Sequence, residues 1–215
     1  MCFRVDPSTG QDSGKGIRFI SPAFVDWWLA RLAETRPAET VHPLGQVPFI
    51  FQAATLRFEL GVFGLLPDKP WVSTLDKGRC CYNARSETVN TKPSFREAIL
   101  NNRSVIPVRA FWEWSEKTEE QDGKAHLYHI SAANSETLWL GSIYAFHPKF
   151  SYSTAIVTTE PIEQVLKEAH HIRSPLILEE SQIEQWLDPN KKDWHQIQPV
   201  LKPNNGQQLK IERIK

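Results

Sequence analysis

The sequence predicts an α+β fold, a single domain built on a mostly antiparallel, curled and barrel-like β-sheet that short helices flank. Strand-like runs rich in β-branched and aromatic residues dominate the 215 residues, and helical patterns interrupt them irregularly. A hydrophobic content of 40%, with 8 Trp and 11 Phe, is sufficient for one sizeable core. Because no stretch is long enough to be a linker, residues 1–215 are expected to form one domain, with a polar tail from about residue 191.

Local patterns place the elements along the chain. The first helix begins at Ser21-Pro22, because Ser is a favoured N-cap and Pro a favoured first helical residue, and it ends before Pro37. Ser94 is the expected N-cap of the next helix, at residues 95–102. Further helices are predicted at residues 162–169 and 181–187. Strands are predicted at residues 47–53, 56–63, 105–108, 111–115, 127–130, 138–144, 154–159, 176–178 and 209–214, with a hairpin loop at 116–124 and the last strand at an edge.

The charge balance excludes a strong overall attraction to nucleic acid or to membranes. Lys+Arg and Asp+Glu number 25 each, so any contact with DNA depends on where individual Arg residues lie. Arg4 and Asp6 interrupt the N-terminus before an apolar signal sequence can form, and no apolar run is long enough to span a membrane. A cytoplasmic protein without a membrane partner is expected, nucleoid-associated if the source is bacterial.

Cysteine and histidine spacing predicts neither a metal site nor a cofactor. The adjacent Cys80-Cys81 pair is typical of reduced, buried thiols rather than of a disulfide or zinc ligands. His126 and His129 would point to opposite faces of a strand, which makes a poor chelate. His170-His171 has no third ligand spaced with it.

Met1-Cys2 is the first candidate for chemistry. Cys is small enough for the initiator Met to be removed, and its removal leaves a free α-amine and a thiol on one carbon skeleton. An α-amine has a pKa of about 7.7 to 8.0, so much of it is unprotonated near neutral pH and can attack an aldehyde. The thiol can then close on the imine to form a five-membered thiazolidine. Because Cys at position two usually has no function, the hypothesis depends on the rest of the chain.

A polar run follows the cysteine pair at Asn83, Arg85 and Glu87. In an extended chain these alternate residues share one face, which offers an amide for a sugar oxygen and a guanidinium for a phosphate. The same pattern describes a solvated edge with a local ion pair, and the motif alone favours that second interpretation.

Two further stretches combine titratable and aromatic residues. Glu113 lies among the aromatic residues of positions 111–114, where an inward orientation would raise its pKa into a range useful for acid–base catalysis. Pointing outward, it would be an ordinary strand Glu. His171 can exchange a proton near neutral pH, and Arg173 can hold an anion. The aromatic residues can stack on unpaired bases, although core packing is the default for each Trp.

Taken in order, these motifs resemble the SRAP family, named as SOS-response-associated peptidases and understood as abasic-site processing proteins in DNA repair. The matching segments are Met1-Cys2 with Arg4, residues 83–88 and 92–96, Ile106-Pro107, residues 111–114, and His171 with Arg173 and Pro175. Their order and spacing cover nearly the whole chain. The chain departs from the family at Phe3, where Gly usually follows the nucleophile, at Phe63, where Trp is usual, and at Ala110, where Gly is usual.

The resemblance implies that mature Cys2 captures the ring-opened sugar of an abasic site in single-stranded DNA. By similarity, Asn83 positions Cys2 and the sugar phosphate. Glu113 would transfer protons during imine and ring formation, and His171 would assist opening of the deoxyribose. The residues implied to bind DNA are Arg4, Arg85 and Arg173, which hold phosphates, and Trp114 and Trp71, which pack on bases beside the lesion.

The leading hypothesis is therefore a monomeric DNA-repair protein that crosslinks to abasic sites through Cys2 and shields them from strand cleavage. Two alternatives differ from it in class. One is a hydrolase that uses Cys2 as an N-terminal nucleophile, either autoproteolytic or cleaving a peptide. The other is a non-catalytic nucleic-acid-binding module, which would bind reversibly and in a salt-sensitive way.

Overall fold

The computed structural model describes residues 3–8, 27, 30–31, 38–66, 81–117, 122–134 and 136–214. Cys2, Trp71 and most of the helix predicted from Ser21 lie outside these residues. Trp27, Ala30 and Arg31, within that predicted helix, are helical. None of the helices in the described segments is long and apolar enough to cross a membrane.

Strands predominate over short helices in the described segments. The strands are β1 (Arg4–Pro7), β2 (Gln46–Gln52), β3 (Leu56–Phe63), β4 (Asn83–Arg85), β5 (Arg103–Trp114), β6 (Leu127–Ala132), β7 (Leu138–His147), β8 (Ser151–Thr159), β9 (Ser174–Pro175), β10 (Ile177–Leu178) and β11 (Leu209–Arg213). The helices are α1 (Arg96–Asn101), α2 (Glu163–Glu168), α3 (Glu180–Leu187) and α4 (Trp194–Ile197), the last continuing into a 3₁₀ turn at Gln198–Val200.

The described strands form one 11-stranded sheet that curls into a ring. Its hydrogen-bonded order is β10-β7-β8-β3-β2-β5-β6-β11. Because β5 also pairs with β7, the strands β7, β8, β3, β2 and β5 close on themselves. The pairings are antiparallel except for those of β8 with β3 and with β4, which are parallel. The predicted α+β fold with a mostly antiparallel, curled sheet is confirmed.

Strand β5 pairs with four other strands. It pairs with β2 and β7 in its first half and with β1 and β6 in its second half. The prediction of two separate strands here is wrong, because β5 continues through both. The register with β1 shifts between Asp6 and Pro7, which leaves the exposed Arg109 as a bulge between the two halves.

Other differences from the predictions involve short elements. Ser94 is not the cap of α1, because Phe95 occupies the N-cap position and makes no side-chain cap hydrogen bond. The strand predicted at residues 176–178 is confirmed as the shorter β10, which pairs with β7, and β9, which precedes it and pairs with β8, was not predicted. The strands β1 and β4 and helix α4 were not predicted. The hairpin between β5 and β6 and the edge position of β11 are confirmed.

The core of the described residues is formed mainly by two buried clusters on opposite faces of the sheet, and a third, small cluster contains Val62 and Leu66. Neighbouring residues of a strand alternate between them, as Val105 and Ile106 do on β5. The first, here called the helix-covered cluster, includes residues of α1, α3 and α4. The second, the ring cluster, includes Phe111. Because side chains alternate along a strand, Glu113 lies on the same face of β5 as Phe111.

A buried arginine joins two helices on the helix-covered face. The Arg103 guanidinium donates hydrogen bonds to the main-chain oxygens of Ile99 and Leu100 near the end of α1, at 3.0 and 2.8 Å. It also donates to those of Trp186 and Asp188 at the end of α3, at 2.7 and 2.6 Å. Carbonyls at helix C-termini lack intrahelical partners, so one side chain satisfies both ends. Burial lowers the pKa of Arg103 to about 10, which leaves it charged at neutral pH.

Arg103→Met is expected to lower the free energy of unfolding by about 2 to 4 kcal/mol, because it leaves buried carbonyls at both helix ends without donors. Arg103→Lys keeps the charge but has fewer donors, and we expect it to lose roughly half as much. Urea unfolding followed by circular dichroism measures both. Arg109→Met, on the exposed bulge of the same strand, is the control and should change stability by less than about 0.5 kcal/mol. A loss below about 1 kcal/mol in Arg103→Met would contradict this role.

Candidate active site

Glu113 is a carboxylate buried near the end of β5. Side chains alternate along this part of the strand, so Glu113 is buried, at 1% exposure, while Trp114 is exposed. Of the two orientations that the sequence left open, the inward one is therefore observed. Burial raises the pKa of Glu113 from its ordinary value of 4.5 to about 7.

His171 approaches Glu113 from the loop between α2 and β9. The main chain of this loop is held to the end of β5, because the Glu116 amide donates to the His170 carbonyl at 3.0 Å. His170 has a φ of 48°, a left-handed conformation that turns the chain before His171. The His171 side chain is buried, and its Nε2 lies 3.5 Å from Oε2 of Glu113. Its Nδ1 lies 3.9 Å from Oε1 of the exposed Glu116.

The two buried groups favour their uncharged forms. Burial lowers the pKa of His171 to about 4, with a further lowering by the charge of Arg173, so the imidazole is neutral at pH 7. Glu113 titrates close to neutral pH and is therefore present in both protonation states. A group with this property can both donate and accept a proton in one reaction cycle. The pair is thus suited to proton transfer in a site from which water is largely excluded.

Strand β1 runs beside the same end of β5. Arg4 pairs with Trp112, and its guanidinium carbon lies 4.7 Å from the centroid of a Trp112 ring. This geometry is that of a cation–π interaction. Cys2, the predicted nucleophile, lies outside the described residues.

Asp6, which the sequence analysis did not select, anchors β1. Its carboxylate accepts hydrogen bonds from Oγ1 of Thr40 at 2.8 Å and from Nε1 of Trp112 at 3.1 Å. Nε2 of His129 lies 3.2 Å from the other carboxylate oxygen. Burial raises the pKa of Asp6, but the hydrogen bonds outweigh this effect and bring it below its ordinary value. No local sequence signal could reveal this cluster, because its members come from distant parts of the chain.

Asn83 and Arg85 lie on β4. Asn83 is half-buried and pairs with Ile156, a residue of the ring cluster, so its side chain lies on the same face as that cluster. Arg85 is exposed. The expectation that Glu87 shares an extended face with them is wrong, because β4 ends at Arg85 and Glu87 lies in the turn that follows.

Arg173 pairs with Glu87. Its guanidinium donates to both carboxylate oxygens of Glu87, at 2.8 and 3.1 Å, and to the main-chain oxygen of Thr158 at 2.8 Å. The Arg173 side chain is 13% exposed and that of Glu87 is 47% exposed. The hydrogen bonds from Arg173 hold the pKa of Glu87 below its ordinary range. The Glu87 carboxylate therefore already occupies the Nη1 and Nη2 side of the guanidinium, where a phosphate would compete with it.

The predicted DNA-stacking residues divide between described and undescribed segments. Trp114 is 44% exposed, and the Phe3 ring stacks beside it with centroids 6.4 Å apart. Trp71 lies outside the described residues. The described residues contain no group of three or more His, Cys, Asp or Glu side chains arranged to hold a metal ion. Burial raises the pKa of the half-buried Cys81 thiol, which disfavours a reactive thiolate there.

Comparison with solved structures shows the same fold in other proteins. A crystal structure of a protein from Bacteroides thetaiotaomicron superimposes with a TM-score of 0.75 at 21% identity, covering 100% of this chain and 92% of that chain. A protein from Bordetella bronchiseptica superimposes with a TM-score of 0.68 at 18% identity, covering 100% of both chains.

Comparison of sequences adds relatives with described activities. Abasic site processing protein YoqW of Bacillus subtilis (strain 168) is 31% identical over 157 residues, which cover 71% of this chain and 66% of YoqW. Abasic site processing protein YoaM of the same organism is 29% identical over 153 residues, with the same two coverages. The matched region is thus just under two thirds of the length of these relatives. The family model described as SOS response associated peptidase (SRAP) matches residues 1–215. This match over the whole sequence shows that the chain belongs to the SRAP family.

Proposed function

We propose that this protein processes abasic sites in single-stranded DNA by forming a covalent thiazolidine through Cys2 after removal of Met1. The observation that carries the proposal is the buried pair of Glu113 and His171, with Nε2 and Oε2 3.5 Å apart, beside a strand that begins two residues after Cys2. The activity in the names of YoqW and YoaM supports the same assignment. The adduct would shield the lesion from strand cleavage.

Chain connectivity supports the role of Cys2. Arg4 pairs with Trp112, the residue before Glu113 on β5. Two residues of chain span at most about 7 Å, so the α-amine and thiol of Cys2 are confined to the surroundings of this pairing. This short reach supports a common site for the aminothiol of Cys2 and the buried pair.

The reaction joins the aldehyde of the opened sugar to both reactive groups of Cys2. The α-amine attacks the aldehyde carbon, and the resulting carbinolamine loses water to become an imine. The imine is formed protonated, and the thiol sulfur then adds to its carbon while the thiol proton passes to the Glu113 carboxylate, which closes the five-membered ring and restores the acid. One aldehyde and one aminothiol are consumed and one water is released, without any change of oxidation state.

The buried pair supplies the proton transfers. Protonated Glu113 donates to the departing hydroxyl of the carbinolamine, and the carboxylate then accepts a proton as the ring closes. A pKa of about 7 keeps both forms populated at neutral pH. Neutral His171 accepts the proton of the C1′ hydroxyl and passes it to the ring oxygen as the C1′–O4′ bond breaks, so that the imidazole ends the step neutral.

Polar residues around the pair are proposed to hold the DNA strand. Asn83, half-buried on the ring-cluster face, orients the sugar phosphate and Cys2. Exposed Arg85 and half-buried Arg4 bind phosphates, and Arg173 joins them once a phosphate has displaced its carboxylate partner. Trp114 and Trp71 stack on the bases that flank the lesion. We propose that the protein acts as a cytoplasmic monomer of one domain, without cofactor, metal or membrane partner.

Purified protein mixed with abasic single-stranded DNA should form an adduct that survives denaturation. Its mass should equal the sum of the two components, with Met1 absent, less one water. Cys2→Ala removes the thiol and should abolish the adduct, because an imine alone hydrolyses on denaturation. Mass spectrometry measures both, and Cys81→Ala, which changes a thiol outside the proposed chemistry, should react like the wild type.

Other outcomes would support the alternatives. An undiminished adduct in Cys2→Ala would contradict the thiazolidine. Peptide hydrolysis that depends on Cys2, without an adduct, would instead assign an N-terminal cysteine peptidase. Reversible binding without adduct or turnover would assign a non-catalytic binding module.

Glu113→Gln should stabilise the protein at high pH and slow the reaction. Below pH 4.5 the folded and unfolded states both hold the Glu113 proton, so variant and wild type should be equally stable. As the pH rises to about 7, only the unfolded state readily loses that proton, and the wild type loses about 3 kcal/mol that the neutral variant retains. Urea unfolding at a series of pH values measures the difference.

The same variant should form the adduct about 100-fold more slowly at pH 7, because the proton donor is lost. The exposed Glu136 provides the matched control, since Glu136→Gln should change neither the pH dependence of stability nor the rate. A stability difference that does not grow with pH would show that Glu113 does not titrate as a buried carboxyl.

Glu87→Gln should tighten the binding of single-stranded DNA by about two- to fivefold, because it weakens the ion pair that competes with phosphate for Arg173. A Cys2→Ala background keeps binding reversible, and fluorescence anisotropy at fixed salt measures it. Glu212→Gln removes one exposed carboxylate on β11 and should have a smaller effect. Weaker binding in Glu87→Gln would show that Glu87 holds Arg173 in place instead of competing with phosphate.

A further inference from the structure

Phe3, which has no role in the proposed chemistry, belongs to an aromatic surface that it shares with Trp114. Its ring lies 6.4 Å from the exposed Trp114, with 25° between the ring planes, and 6.5 Å from the ring of His42. The guanidinium carbon of Arg4 lies 5.2 Å from the Phe3 centroid. Two roughly parallel aromatic rings thus lie beside one cation, next in sequence to Cys2.

The arrangement differs from that of another exposed aromatic residue. Phe146 is 55% exposed, but its ring meets Tyr152 edge-on, at 69°, within a larger group of aromatic side chains on β2, β7 and β8. Phe3 instead lies nearly parallel to Trp114, whose side chain stays 44% exposed. An exposed, nearly parallel ring pair offers flat π-faces to a ligand, which an edge-on pair does not.

We propose that Phe3 and Trp114 form a stacking platform for the unpaired base next to the abasic sugar, while Arg4 binds the phosphate that joins this base to the lesion. The inference rests on the proposed function, because the strand is brought here by the reaction at Cys2. It assigns to Phe3 a role in recognising DNA around the lesion. Phe3 is only half-buried and lies outside β1, so neither core packing nor strand pairing accounts for its aromatic ring.

The surface has a place for each part of one nucleotide, the two rings for its base and Arg4 for its phosphate. Bases of any sequence stack on aromatic rings, and a purine covers more of two adjacent rings than a pyrimidine does. The positive charge of Arg4 beside the rings complements the phosphate of the same nucleotide. Because Phe3 and Cys2 are consecutive, with α-carbons about 3.8 Å apart, the base beside the captured sugar is the one within reach.

The test compares strands that differ only in the neighbouring base. In a Cys2→Ala background, a short single strand with a tetrahydrofuran abasic analogue between two adenines is compared with strands in which the 5′ or 3′ neighbour also lacks its base. Fluorescence anisotropy gives the dissociation constants. Removal of one neighbouring base should weaken binding by roughly 5- to 100-fold with Phe3 present, and by a severalfold smaller factor in Phe3→Gly, where Trp114 is the ring that remains.

Two further variants control for fold and apolar area. Phe3→Leu keeps apolar surface without a π-face and should retain only a small part of the base effect. Phe146→Leu changes an exposed aromatic residue elsewhere and should retain all of it. Thermal unfolding confirms that each variant is folded.

Either of two results would contradict the proposed stacking of a base on Phe3 and Trp114. One is an equal base effect with and without Phe3. The other is tighter binding in Phe3→Gly, which would show that the ring obstructs the site. The measurement involves no covalent step, so it is independent of thiazolidine formation. A missing adduct in the wild type, together with an intact base effect, would refute the proposed function and leave the base site standing.

Discussion

The constraint on which the structure depends is that strand β5 has two edges and pairs on both of them in each of its halves. In its first half the partners are β2 and β7, which closes the ring, and in its second half they are β1 and β6. The strand that completes the sheet therefore also carries Glu113 and holds the strand that follows Cys2. At its other end, Arg103 ties β5 to two helices. The candidate site is consequently built on a strand that neighbouring strands hold on both edges.

The energetic conflict in the fold lies at Glu113. A carboxyl group there opposes folding whenever it is ionised, because burial removes the water that stabilises its charge. His171 is desolvated in the same place, and its neutral form is favoured for the same reason. Natural proteins retain such destabilising buried groups at sites where a reaction needs a proton donor or acceptor at neutral pH. The Asp6 cluster, in which each hydrogen bond has a partner on another segment, offsets part of the cost by fixing β1.

What the sequence could predict depended on how local each signal was. The residues predicted at 56–63 coincide with β3, and Glu113 was selected from its aromatic neighbours on the same strand. By contrast, β1 and β4 have four and three residues and are strands only because β5 and β8 lie beside them. The contact between Arg173 and Glu87 joins positions 86 residues apart. Periodicity contains no information about such pairs, so the polar connections of the site could be found only in three dimensions.

The pairing of Arg173 with Glu87 has a consequence for how DNA would be sampled. The chain has no net charge, and this guanidinium already has an internal counter-ion, so intact strands meet little long-range attraction. A protein of this kind would dissociate quickly from undamaged DNA and scan many positions. Discrimination between abasic and undamaged sites would then depend on the rate of bond formation with an aldehyde, a group that ordinary nucleotides lack. Selectivity would be kinetic, and tight equilibrium binding would even be a disadvantage.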